Sequence, residues 1–188
     1  MQTPRIICPE CGLDNIHNNI YIIGIAGPLD SGKSTMAKML ASRFESAIIP
    51  FAKPVKDLAK LMGWDGEKGE KGRRLLQLLG TECGRQCIDQ NIWVNHWKDL
   101  VYRTTLPEVG PMLIVADDVR FDNECDIIDS LGGRLIKING RNDVESPEHA
   151  SELGLSDDRF SHLYTNNRGL DSMSTFCDQL QRKMNNEH

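Results

Sequence analysis

A chain of 188 residues, 39% hydrophobic and 26% charged, has the length for one substantial core and a composition that excludes disordered and fibrous classes. Its formal net charge of −5 argues against a broad nucleic-acid surface, and no apolar run reaches membrane length, so a cytoplasmic protein with neither membrane nor nucleic-acid partner is expected. No charged-then-apolar leader opens the chain, and its six cysteines are expected as thiols rather than disulfides.

Residues 1–18 read as a leader that carries a C-x-x-C knuckle, Cys8 and Cys11, with His17 close behind. A structural zinc site needs four ligands, and no second knuckle follows. Zinc is therefore the lesser expectation here, requiring Cys83 or Cys87 to be brought in by the fold. Residues 19–188 read as one α/β domain.

The first strand is expected at Ile20–Ala26 (IYIIGIA), a β-branched run suited to a buried parallel strand. It leads into GPLDSGKST, which fits G-x-x-x-x-G-K-[ST] with Gly27, Gly32, Lys33 and Ser34 at the fixed positions. Such a loop turns successive backbone N–H groups toward an anion and adds the positive end of the next helix dipole. Gly27, Asp30, Ser31, Gly32, Lys33, Ser34 and Thr35 are thus the expected ATP-binding loop. Lys33 would reach the β- and γ-phosphates, and Ser34 would ligate the Mg²⁺ of the nucleotide. Asp30 is expected to face outward, since a carboxylate beside phosphates is unfavourable. Met36, Met39, Leu40 and Phe44 recur at helical spacing after the loop.

Further along, Ala47–Phe51 reads as a strand and Pro54–Met62 as a helix opened by proline. A charged, glycine-rich loop follows at Trp64–Gly72, then helices at Arg73–Cys87 and Ile92–Tyr102. Trp93 and Trp97, four apart, are expected as core or interface anchors, with base stacking the sharper alternative. Met112–Ala116 and Gly133–Ile138 read as strands around a helix near Asn123–Leu131. The polar stretch 141–158 reads as a lid, Ser161–Tyr164 as a fifth strand and Leu170–Met184 as a last helix. Alternating strands and helices imply a P-loop NTPase three-layer fold, a parallel sheet of about five strands covered on both faces.

Other signatures narrow the class. No N-K-x-D base reader, no ABC-type signature and no helicase-sized chain accompany the loop, which leaves a small-molecule kinase. The third strand runs into ADDVRFDNE, where Asp118 would orient waters on Mg²⁺ and Arg120 would hold an anionic acceptor through its planar guanidinium.

FAKPVKDLA from Phe51, RRLLQLLGTECGRQ from Arg73, NIWV from Asn91, DVRFDNE from Asp118, INGR from Ile138 and HASE from His149 occur in this order. Together they resemble the bacteriophage-type deoxynucleoside monophosphate kinases, which are similar in fold to adenylate kinase. The resemblance runs from about Ile20 to Arg182 and leaves out the leader. It implies transfer of the ATP γ-phosphoryl group, with Mg²⁺, to a deoxynucleoside monophosphate, an acceptor-binding insertion over about 52–104 and a lid over about 141–158. Lys53, Arg74, Gln77, Arg85 and Arg120 would serve the acceptor. Lys33, Asp118, Arg120 and Arg141 would serve the reaction, and Arg141, His149, Ser151 and Glu152 would belong to the lid. A homodimer fits the same family. Where family members carry an aromatic residue, this chain has Cys83, which implies a different acceptor shape.

Two other readings stay open from the residues: a P-loop kinase of a different small acceptor, and a zinc-knuckle nucleic-acid binder regulated by nucleotide. The acidic balance and the incomplete metal set weigh against the second.

Overall fold

The computed structural model describes residues 20–67, 69–105, 113–139, 155–167 and 169–186. Five parallel strands, β1 (Tyr21–Ala26), β2 (Ser46–Ile48), β3 (Leu113–Val119), β4 (Arg134–Asn139) and β5 (His162–Thr165), form one sheet in the order β2-β3-β1-β4-β5. The expected fold class holds. β1 is central, so the loop that follows it emerges at the carboxyl edge between β3 and β4, where the strand order reverses and such sheets open a ligand crevice.

Helices α1 (Lys33–Ala41) and α6 (Gly169–Asn185) cover one face. Met36, Ala37 and Leu40 meet Met173, Cys177, Leu180 and Met184 there, over Ile23, Ile25, Leu113 and Val115. Helices α4 (Ile92–Thr105) and α5 (Asp122–Ser130) cover the other, where Val94, Trp97, Val101, Cys125 and Ile128 pack on Ile22, Ile114 and Ala116. Residues 113 and 115 therefore face α1, while 114 and 116 face α4 and α5, the period-two alternation of a strand. A smaller cluster of Val55, Ala59, Leu79 and Trp93, with Leu75 and Leu76 packed against it, joins α2 (Lys53–Leu61) and α3 (Glu70–Gln77) to α4 outside the sheet.

Several expected boundaries move for local reasons. β2 stops at Ile48: Ile49 N–H still donates to Val115 O at 2.8 Å, but Pro50 has no N–H to continue the ladder. β3 runs past Ala116 to Val119, so two aspartates lie within the strand. The single helix expected over Arg73–Cys87 is α3 followed by a π-helix over Leu78–Gln86. Trp93 packs on this segment and accounts for Gly84. Its indole Nε1 donates to Gly80 O at 2.7 Å, and its ring lies 2.6 Å from where a Cβ on Gly84 would stand.

Trp97 is fully buried, stacks on Phe51 with ring centroids 4.5 Å apart, and donates to Ile49 O at 2.7 Å. Both tryptophans are thus core anchors rather than exposed stacking platforms. Gly84→Ala would force its methyl into the Trp93 ring, and such overpacking costs about 1–3 kcal/mol. Urea unfolding should register that loss, whereas an unchanged midpoint would contradict the packing described.

Candidate active site

The loop after β1 owes its shape to two glycines and one strained aspartate. Gly27 has φ +145°, and a Cβ there would lie 2.4 Å from Ile138 O of β4, so any side chain would drive the loop off the sheet. Gly32, at φ +104°, caps α1 in the left-handed region, and Asp30 adopts φ +59°, which aspartate tolerates better than most residues. Asp30 is exposed, as expected for a carboxylate turned away from an anion site. Ser31 N–H donates to Pro28 O at 3.3 Å, and Lys33 Nζ curls back onto the carbonyls of Gly27 and Pro28. Thr35 sits half-buried in the first turn of α1.

A further residue braces this loop. Asn166, just past β5, donates from Nδ2 to Ser31 O at 2.8 Å and is itself buried. Ser31 Oγ and Asn166 Oδ1 are buried with no hydrogen-bond partner among the described residues. Polar atoms left over at a phosphate-type loop fit a site that takes up a polar ligand.

The acidic end of β3 divides its labour by strand alternation. Asp117 lies on the α1 face, and Ser34 Oγ donates to its Oδ2 at 2.6 Å. Asp118 points the opposite way and accepts N–H bonds from Phe51 at 2.7 Å and Ala52 at 3.0 Å, at the entry to α2. Burial pushes the Asp118 carboxyl above its ordinary pKa, against the pull of those two N–H donors. Asp118, expected to orient waters on Mg²⁺, is thus held at the entry to α2, while the carboxylate at the loop serine is Asp117. The donor set, one serine hydroxyl against one carboxylate, suits Mg²⁺ that arrives on a nucleotide with its phosphates and waters as remaining ligands. Among the described residues no cluster of three or more His, Cys, Asp or Glu can hold a metal by itself.

Beyond β3, Glu124 is 3% exposed and forms a buried ion pair with Arg85 of the π-helix, Nη2 to Oε1 at 2.6 Å. Its other oxygen accepts the N–H groups of Arg120 at 2.8 Å and Phe121 at 3.2 Å, as the third residue of a helix does in a capping box. The Arg85 guanidinium also lies 4.1 Å from the Phe121 ring centroid and donates to Gln90 O and Asn123 Oδ1. Arg85 is thus committed to protein contacts. Of the other expected acceptor residues, Lys53 pairs with Asp57 one turn along α2, Arg74 and Gln77 are exposed on α3, and Arg120 is exposed. Arg141, His149, Ser151, Glu152, Cys8 and Cys11 lie outside the described residues, while Cys83 and Cys87 are exposed free thiols.

Desolvation pushes the Glu124 carboxyl up to about 7, with the Arg85 charge and the backbone donors opposing it. A carboxyl that holds its proton more tightly folded than unfolded, where its pKa is about 4.3, loses stability as pH rises through that interval. Glu124→Gln has no such proton. Its unfolding free energy should fall less than the parent's between about pH 5 and 7, and parallel curves would contradict the assignment.

Comparison with known proteins follows the same lines. Residues 64–176 match the model of the family described as deoxynucleotide monophosphate kinase. A protein of Acanthamoeba polyphaga mimivirus, provisionally described as a deoxynucleotide monophosphate kinase, is 32% identical over 160 residues, covering 72% of this chain and 82% of that one. The deoxynucleoside-5′-monophosphate kinase of Escherichia phage T5 is 29% identical over 119 residues, 56% of this chain but only 45% of its own length. In fold, the chain is similar to the Deinococcus radiodurans tunicamycin resistance protein, with TM-score 0.54, 17% identity and coverage of 87% of this chain and 95% of that one. It is also similar to a Chloroflexus aurantiacus protein provisionally described as a kinase, with TM-score 0.51, 13% identity and coverage of 89% and 97%. The fold, the phosphate-type loop and the match over most of the chain assign it to the deoxynucleotide monophosphate kinase family.

Proposed function

We propose that the protein transfers the γ-phosphoryl group of ATP to a deoxynucleoside 5′-monophosphate, giving ADP and a deoxynucleoside diphosphate. The observation that carries this reading is the contact of Ser34 with Asp117 at the foot of a glycine-shaped loop. Mg²⁺, when bound with ATP, would neutralise phosphate charge there.

An oxygen of the acceptor monophosphate attacks the γ-phosphorus, and the bond from that phosphorus to the β,γ-bridging oxygen breaks, leaving its electron pair on ADP. The acceptor is already an oxyanion, so no general base is needed. Positioning and fixed positive charge supply most of the rate. The backbone N–H groups of residues 27–34 would cradle the phosphates, and Lys33 would exchange its two loop carbonyls for phosphate oxygens. Asp117 would hold Ser34 and metal-bound water in place.

On the acceptor side, the insertion over 52–104 would carry the monophosphate toward Arg120, with Arg74 and Gln77 exposed along α3. The lid over 141–158, with Arg141, would shut out water, since an open site would waste ATP by hydrolysis. Among the described residues no helix is long and apolar enough to cross a membrane.

The test is ADP formation from Mg-ATP against a panel of ribo- and deoxyribonucleoside monophosphates. Turnover should require a deoxynucleotide. Lys33→Ala should lower kcat roughly 10²- to 10³-fold, the usual loss on removing a fixed electrostatic stabiliser, and Asp117→Asn should lower it about tenfold or more without unfolding the chain. Retained activity in Lys33→Ala would remove the loop from the reaction, and silence across the panel would overturn the acceptor.

A further inference from the structure

The end of β3 and the first turn of α5 carry Asp117, Asp118 and Glu124, which meet three different partners, and the last two serve the chain rather than a ligand. Asp118 binds the backbone at the start of the 52–104 segment, and Glu124 binds Arg85 near the end of its π-helix. Around that second contact, Asn123 Nδ2 donates to Gln90 O at 3.2 Å and to Asn91 Oδ1 at 2.8 Å, closing the junction before α4. The same Glu124 carboxylate accepts Arg120 N–H, while the Arg120 guanidinium is exposed and makes no hydrogen bond or ion pair among the described residues.

A buried ion pair loses solvation on both partners and is a poor way to gain stability. What it does gain is geometry: two elements that meet through a desolvated, hydrogen-bonded pair have one register. Here the pair joins the backbone that carries Arg120 to the segment that carries Arg74 and Gln77. Neither Glu124 oxygen is left over for a substrate. One accepts from Arg85 and the other from two backbone donors.

Resting on the phosphotransfer reading above, we propose that Glu124 is a positioning residue for the acceptor: it sets the backbone from which Arg120 reaches the monophosphate and, through Arg85, docks the acceptor segment in register with it. It acts through these two arginines and touches neither substrate. Its influence therefore falls on the acceptor and spares the ATP loop, which is held separately by Gly27, Gly32 and Asn166.

Steady-state kinetics of Glu124→Gln and Arg85→Lys, with the double variant, test this on the full chain. Each single change should raise the acceptor KM at least tenfold while the ATP KM stays within twofold. The double variant should be no worse than the worse single one, because both remove the same contact. Equal shifts in both KM values, or additive effects in the double variant, would overturn the assignment by reducing the pair to general scaffolding. Should the parent turn over no deoxynucleoside monophosphate, the function proposed above fails, and hydrogen exchange decides the positioning role alone. Glu124→Gln should then speed exchange at Arg120, Phe121 and residues 84–91 with the 27–34 loop unchanged; unaltered exchange at the first set would overturn it.

Discussion

The carboxyl end of β3 is the joint on which the candidate site depends. Within eight residues, Asp117 engages the hydroxyl of the phosphate loop, Asp118 the entry to α2, and Glu124 an arginine of the π-helix. A strand that alternates its side chains can serve two layers at once: Asp117 faces α1, and Asp118 faces the side where Phe51 stacks on Trp97. One rigid strand end thus relates the loop that would hold the donor to the segment that would hold the acceptor. Phosphoryl transfer, which depends on in-line placement of two substrates, rewards such a joint.

The phosphate loop is built with comparable economy. Its conformation needs left-handed backbone at Asp30 and Gly32, and its depth needs a bare Cα at Gly27 under Ile138 O. Strained loops persist where the surroundings over-determine them. The surroundings here are β4, the Asn166 brace and the fully buried Met36 and Leu40 of α1. Lys33 holds its ammonium group on two carbonyls of the same loop.

Local signals in the sequence carried the fold far. β-branched residues marked four of the five strands, and the glycine-lysine-serine spacing marked the loop, because both patterns arise from contacts within a few residues. Which of Asp117 and Asp118 meets the loop serine was out of reach: alternation says that the two face opposite ways, but only the packed sheet says which face holds α1. An apolar run ending at Ala116 also hid the strand's continuation to Val119. Glu124 looked like one more charge in an acidic turn, because Phe121 stands at the N-cap where the readable capping signature has Ser, Thr, Asp or Asn. Asn166 offered no local signal, since its partner Ser31 is 135 residues away. The π-helix was invisible for a similar reason, as Gly84 and the Gly80 carbonyl answer to Trp93 on a later helix.

The central claim is that this site passes a phosphoryl group between two nucleotides and keeps water out. The most direct measurement follows Mg-ATP and a deoxynucleoside monophosphate together by ³¹P NMR. The account predicts that ADP and deoxynucleoside diphosphate grow in equal amounts, with inorganic phosphate slow to appear both with and without acceptor. Inorganic phosphate released at one rate regardless of acceptor, with no second diphosphate, would contradict it.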